Sequence, residues 1–236
     1  MTVAEVSSRK RTARFAGFLY LVMGLAGAFS IAYIPRVFVV RNDAAATVAN
    51  ILGSPLLYRF GIVSDLVNQT VFVLLVIVLY ELFKDVNRRH ARFMVALVVV
   101  QVSMSAAIII AQIAPLALLS GAGYLSVFDK GQLDSMVLGV LSLRSRAIVA
   151  LGIYMGLWLI PLGALVYRSV FIPRVFGVLL IVAGVAYIIS TITYFLAPDY
   201  FRYTSMFMMA AAAAGELGII GWLLIKGTRD EPMERT

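Results

Sequence analysis

Six stretches of the chain are almost continuously apolar, and short clusters of charged, proline or glycine residues separate them. They cover 13–34, 56–83, 93–119, 147–167, 175–197 and 203–225. A helix that crosses a hydrocarbon core of about 30 Å needs about 20 mostly apolar residues, and every stretch supplies them. The pattern therefore predicts an all-α polytopic membrane protein, a bundle of six transmembrane helices. Pro35, Pro55, Pro173 and Pro198 stand at or beside the ends of stretches, where a missing N–H is cheap. Pro115 and Pro161 fall inside stretches and predict kinks, which membrane helices tolerate when neighbours satisfy the freed carbonyls.

Two further pieces carry a helical pattern without the length to span. The run 42–50, NDAAATVAN, opens with a capping residue, continues with good helix formers and stops near Gly53, Ser54 and Pro55. It predicts a short helix lying on the outer face. Between 130 and 143, Leu133, Met136, Val137, Val140 and Leu141 recur at helical spacing. This piece is either a second interfacial helix or the outer extension of the fourth span. The first stretch has a basic start and an AGA run at 26–28, like a signal peptide. Its apolar run continues to Ile34, so it is expected to be a retained helix.

Composition agrees with lipid as the solvent. The 236 residues are 62% hydrophobic and 14% charged, against about 45–50% and 25% in soluble domains. The net charge is +8, and Lys and Arg concentrate between the spans. With the N-terminus inside, the cytoplasmic segments hold 13 of the 20 Lys and Arg residues and the outer segments hold 7. The positive-inside rule then places both termini in the cytoplasm. A basic tail (1–12), a transmembrane domain (13–227) and a second cytoplasmic tail (228–236) follow. The positive charge thus has a topological explanation, and no nucleic-acid partner is expected. The expected location is a cytoplasmic (inner) membrane, crossed by all six spans.

Against this apolar background, a few polar residues inside the spans are the candidate chemistry. Asp65, Asn68 and Gln69 share one face of the second span at i, i+3, i+4, and Gln101, Ser105 and Gln112 share a face of the third. Glu216 sits in the small-residue part of the sixth. At about 1.5 Å per residue, Asp65 lies about 14 Å from the outer end of its span and Glu216 about 20 Å from the outer end of its own. Gln101 lies about 18 Å from the outside by the same measure. These estimates put the three near the midplane. A carboxylate facing lipid there costs about 2.5–3.5 kcal/mol on insertion scales, so Asp65 and Glu216 should face inward. Arg59, Arg144 and Arg146, near the outer entrance, are the candidate charge partners. The expected ligand-binding set is Asp65, Asn68, Gln69, Gln101, Tyr154 and Glu216. The same residues also suit a simpler role, as hydrogen-bond glue between helices.

The absent chemistry narrows the field. There is no cysteine and a single histidine, His90, in a basic loop. No thiolate or bis-histidine site can be built from that inventory. No recognisable catalytic constellation, metal site or cofactor motif occurs, so neither an enzyme nor a cofactor is expected. Gly152 with Gly156, and Ala214 with Gly218, form small-residue faces that suit close packing within the bundle or against a protein partner or second copy. A weak echo, Arg14-x-x-Gly17-x6-Gly24 against Arg174-x-x-Gly177-x6-Gly184, fits an interfacial Arg anchor followed by packing glycines.

Several stretches resemble bacterial membrane proteins grouped as domain of unknown function 4386. They are RFAGFLYLVMGLAG from Arg14, DAAATVANIL from Asp43 with YRFGIVSDL after it, and LYELFKDVNR from Leu79. YRSVFIPRVFGVLLIVAGVAYI from Tyr167 and GELGIIGWLLIKG from Gly215 complete the set. The resemblance implies six helices and places Asp65, Arg168, Pro173, Arg174, Gly177, Gly184 and Glu216 in the family pattern. It implies no particular activity. The expected function is the binding or transport of a small molecule or lipid in a polar interior cavity. The alternative is a non-catalytic accessory subunit of a larger membrane complex.

Overall fold

The computed structural model describes residues 3–228. The 229–236 part of the expected C-terminal tail, with Arg229 and Arg235, lies outside the described residues, as do residues 1 and 2. Nine α-helices are present among the described residues: α1 (Val3–Gly27), α2 (Ile34–Phe38), α3 (Ala44–Gly53), α4 (Pro55–Phe83), α5 (Arg88–Leu118), α6 (Lys130–Arg168), α7 (Arg174–Leu196), α8 (Phe201–Ala212) and α9 (Gly218–Ile225). Two π-helical segments, Ala28–Tyr33 and Ala213–Leu217, join α1 to α2 and α8 to α9. Among the described residues there is no strand.

Among the described residues, six helical stretches are long and apolar enough to cross a membrane: Ser7–Phe38, Pro55–Phe83, Arg88–Leu118, Lys130–Arg168, Arg174–Leu196 and Pro198–Ile225. These are the six expected spans, all longer at the N-terminal end, with the third and fifth one residue shorter at the C-terminal end. The helical basic start of the first reaches back to Val3. α5 and α6 run through Pro115 and Pro161 without interruption. The open question at 130–143 is settled as an extension, since α6 is one helix of 39 residues. At about 1.5 Å per residue it is nearly twice as long as a hydrocarbon core is thick.

The short helix expected at 42–50 is α3. Its N-cap is Asp43, whose side chain accepts from the backbone N–H of Ala46 at 2.8 Å. Asn42 instead takes a left-handed conformation, φ 61°. Asn tolerates that region better than most residues with a side chain, and the reversal it makes aims the chain into α3.

The chain divides into two compact units. The first comprises Met1–Val22, Val71–Val102 and Ala150–Thr236, and the second Met23–Thr70 and Ser103–Val149. In the first unit, glycines bring α6 and α7 into backbone contact. A Cβ placed on Gly163 would lie 2.7 Å from the carbonyl oxygen of Gly177, and one on Gly184 would lie 2.7 Å from that of Gly156. Gly152 faces the side-chain hydroxyl of Thr191 on α7. Small residues permit this approach, and dispersion then holds the helices together. The Gly152 and Gly156 face is therefore filled by α7 of the same chain and is not open to a partner. Gly218 packs on the Phe176 ring, whereas Ala214 is exposed. The two arginines of the sequence echo have different work. Arg14 donates to the carbonyl of Ile225 at the end of α9, 3.2 Å away, and Arg174 lies over the Tyr167 ring. A cation suits a helix C-terminus because the last carbonyls there lack partners.

The second unit is organised around an apolar cluster that includes Phe38, Ile51, Tyr58, Val137 and Leu141. Phe38 and Tyr58 meet edge to face, ring centroids 5.3 Å apart. Gly61 lets α4 close on Ile34, whose side chain would lie 2.7 Å from an added Cβ.

Candidate functional site

The second unit contains a buried ion pair between α4 and α6. Nη2 of Arg144 donates to Oδ2 of Asp65 at 2.7 Å and to Oε1 of Gln112, on α5, also at 2.7 Å. Asp65 is 4% exposed and Arg144 3%. The second carboxylate oxygen, Oδ1, accepts from the Ser30 hydroxyl at 2.8 Å. Tyr58 donates to the backbone carbonyl of Gln112, 2.8 Å away. Four helical segments thus contribute to one connected network.

Local chain geometry puts these groups in place. Ser30 sits in the π segment Ala28–Tyr33, just before Pro35. Proline has no N–H to give and its ring crowds the preceding turn, so the helical ladder is disturbed there. The wider π turn carries Ser30 to the carboxylate. Such segments recur at functional sites.

Two buried donors in this network have no partner among the described residues, Nε of Arg144 and Nε2 of Gln112. Leaving a buried donor unpaired costs about 1–3 kcal/mol, and more where no water can substitute. Both residues line a small cavity of about 10 Å³, together with Tyr58, Ser145, Ile34 and Phe38.

Asn68 and Gln69 lie one turn below Asp65 on α4. Asn68 donates to the carbonyl of Met23 at 2.6 Å, and Gln69 donates to Oδ1 of Asn68 at 2.9 Å. The Asn68 side chain also fills the space beside Gly27. Arg59 and Arg146 are exposed, and Arg144 is the arginine that takes Asp65.

The first unit contains a second polar centre. Glu216 receives the Tyr20 hydroxyl on Oε2 at 2.9 Å and the Tyr187 hydroxyl on Oε1 at 3.5 Å. It too stands on a π segment, Ala213–Leu217, where Gly215 lies against the backbone of α7, an added Cβ being 3.0 Å from the carbonyl of Leu179. Tyr20 is fixed by Trp158, which packs in turn on Phe72, at centroid distances of 5.8 and 4.9 Å. Gln101 is buried and Tyr154 half-buried in this unit, and neither donates to Glu216. Asp65 and Glu216 therefore have separate sets of partners.

This geometry sets an order among the tyrosines. Tyr20→Phe is expected to destabilise the protein by about 1–3 kcal/mol, the usual loss when a carboxyl group gives up a hydrogen bond. Tyr187→Phe should cost much less, because 3.5 Å is at the edge of bonding distance. Thermal unfolding in detergent measures both. Equal losses would contradict the asymmetry.

Among the described residues, no three His, Cys, Asp or Glu side chains come together as metal ligands would. The polar centres use Ser30, Tyr20, Tyr58 and Tyr187 as well as the amides and charges expected from sequence. Single hydroxyls in apolar runs carry little signal. Ser30 alone had one, its position five residues before a proline.

Six apolar spans, with charged groups buried and bonded within helices, define a polytopic α-helical membrane protein. The chain belongs to the family described as Domain of unknown function (DUF4386), whose model matches residues 15–227. No curated protein and no solved structure matches it.

Proposed function

We propose that this chain is a membrane-embedded module that binds or transports a small molecule or lipid headgroup, with Asp65, Arg144 and Gln112 as its site. The observation that carries the reading is the Asp65–Arg144 pair, almost wholly buried in helices suited to lipid. Burying two charges is expensive, and an apolar pair of similar volume holds a bundle together as well or better. Ionisable groups inside membrane spans mark binding sites and ion or substrate pathways by default. In this reading both termini are cytoplasmic, as the distribution of Lys and Arg favours, and the resemblance to bacterial proteins supports a bacterial inner membrane as the location. In that orientation Arg59 and Arg146 flank the outer approach. The Glu216 centre, with Gln101 and Tyr154 in the same unit, is a second candidate of lower rank, since its carboxylate is only half-buried and is held by two tyrosine hydroxyls rather than paired with a buried charge.

Native mass spectrometry of the full chain, gently extracted from its own membrane, tests this. The comparison is the double variant Asp65→Asn with Arg144→Gln, which removes both charges and keeps hydrogen-bonding groups. A reproducible bound molecule, absent from the folded double variant, is the expected result. The same molecule retained by that variant would exclude this site. A protein bound at fixed stoichiometry, with no small molecule, would make the chain an accessory subunit instead.

A further inference from the structure

The unpaired donors of the second unit specify what the site accepts. Gln112 has its orientation fixed, because Oε1 is the atom that takes the Arg144 Nη2 proton at 2.7 Å. The amide nitrogen Nε2 must then be the free end, and it cannot be exchanged with the oxygen without losing that bond. On Arg144, Nη2 is committed to Asp65 and Gln112 and Nε is free. Gln112 is 1% exposed, so bulk solvent does not reach its amide. Both side chains border the same cavity, whose wall is otherwise mostly apolar (Ile34, Pro35, Phe38, Leu141).

We infer that this cavity seats one hydrogen-bond-accepting oxygen held by Arg144 Nε and Gln112 Nε2. The two free groups are donors only, so they disfavour a metal cation or an ammonium group and favour an acceptor. The carboxylate that would attract a cation is already taken by the guanidinium and the Ser30 hydroxyl. Size limits the guest as well. About 10 Å³ is the lower bound for a single water, which also wants two to four polar partners. The two donors supply two, and the Tyr58 hydroxyl oxygen on the cavity wall is a third. The oxygen comes either from a water or from the carboxylate or phosphate end of an amphiphile, of which the cavity admits one oxygen while the rest stays outside it. The inference names the ligand chemistry of the site proposed above and rests on that reading only for the amphiphile. A water would stand even if no ligand co-purified.

Crystals of the full chain grown in a lipidic mesophase, diffracting well enough to show ordered water, decide the matter. Density about 3 Å from both nitrogens is expected. An isolated peak assigns the oxygen to water, and density continuous with a chain assigns it to an amphiphile. A site without density, with the two nitrogens turned onto protein acceptors, overturns the inference. Sodium dodecanoate titrated against the chain in nanodiscs separates the sources in solution. If the oxygen is the amphiphile's, binding should weaken about tenfold in Gln112→Met, the equivalent of one hydrogen bond. If it is water, dodecanoate leaves the isolated peak in place. Should Gln112→Met fail to fold, Arg144→Lys serves, since it keeps a cation for Asp65 and lacks Nε. Tight dodecanoate binding unaffected in either variant, with a dry site, also overturns the inference.

Discussion

Arg144→Gln is expected to destabilise the protein by about 3–5 kcal/mol, the range seen when one partner of a buried pair is removed. The reason is what stays behind. Asp65, 4% exposed, would keep only the Ser30 hydroxyl as a donor. Asp65→Asn should cost less, because Oε1 of Gln112 still accepts from the guanidinium left behind. The double variant should be more stable than Arg144→Gln alone, since neither charge is then stranded. That sign, a second substitution that recovers stability, is the mark of coupling. Unfolding of the purified chain in mixed micelles titrated with SDS gives all three values. Strict additivity would mean that the pair does not interact as described.

The cycle also separates two roles that the pair combines. If the double variant folds as well as the wild type, the charges are dispensable for structure, and their cost must be offset elsewhere. Loss of a bound molecule in that same folded variant would then be a functional loss alone. If the double variant is as poor as the single, the pair is structural, and the binding reading loses its main support.

The parts of this molecule that could be read from sequence are those governed by local pattern. Apolar length gave the spans, because a hydrocarbon slab imposes one minimum length on every helix that crosses it. Asp65, Arg144 and Gln112 stood out because charged and amide groups are rare in such runs. Which arginine would meet Asp65 was not legible. Arg59 is six residues before Asp65 on the same helix, but Arg144, 79 positions away, makes the bond. Periodicity places a residue on a helix face, and the rotation and offset of two helices decide what that face meets. The π segments were hidden for a related reason. A shift from one ladder to a wider one leaves no composition signal except the nearby proline at 35, and at 213–217 only a run of small residues. Depth estimates placed Asp65, Gln101 and Glu216 near one level, but they could not show which groups bond: Asn68 reaches the carbonyl of Met23, and Gln69 reaches Asn68. Nor could they show that Glu216 is served by two tyrosines.

Gly156→Ala is the second large effect to expect, and its sign is informative. Alanine is the better helix former by about 1 kcal/mol, so propensity alone predicts a gain. At Gly156, however, a Cβ would run into the carbonyl oxygen of Gly184 and crowd Ile188 and Tyr187, at 3.0 Å each. A backbone atom cannot swing aside as a side-chain end can, so α6 and α7 must part. Overpacking of this kind costs about 1–3 kcal/mol, and here it also undoes the reciprocal contact of Gly184 with Gly156. Gly24→Ala is the matched control. Nothing lies within 4 Å of its added Cβ, so it should be neutral or gain up to about 1 kcal/mol. Opposite signs at the two glycines, measured by the same unfolding assay, would establish the α6–α7 contact as intramolecular. If instead Gly156→Ala left stability unchanged but lowered the oligomeric state in a concentration-dependent way, the glycine face would be serving a second copy, and the packing of α6 on α7 described above would be wrong.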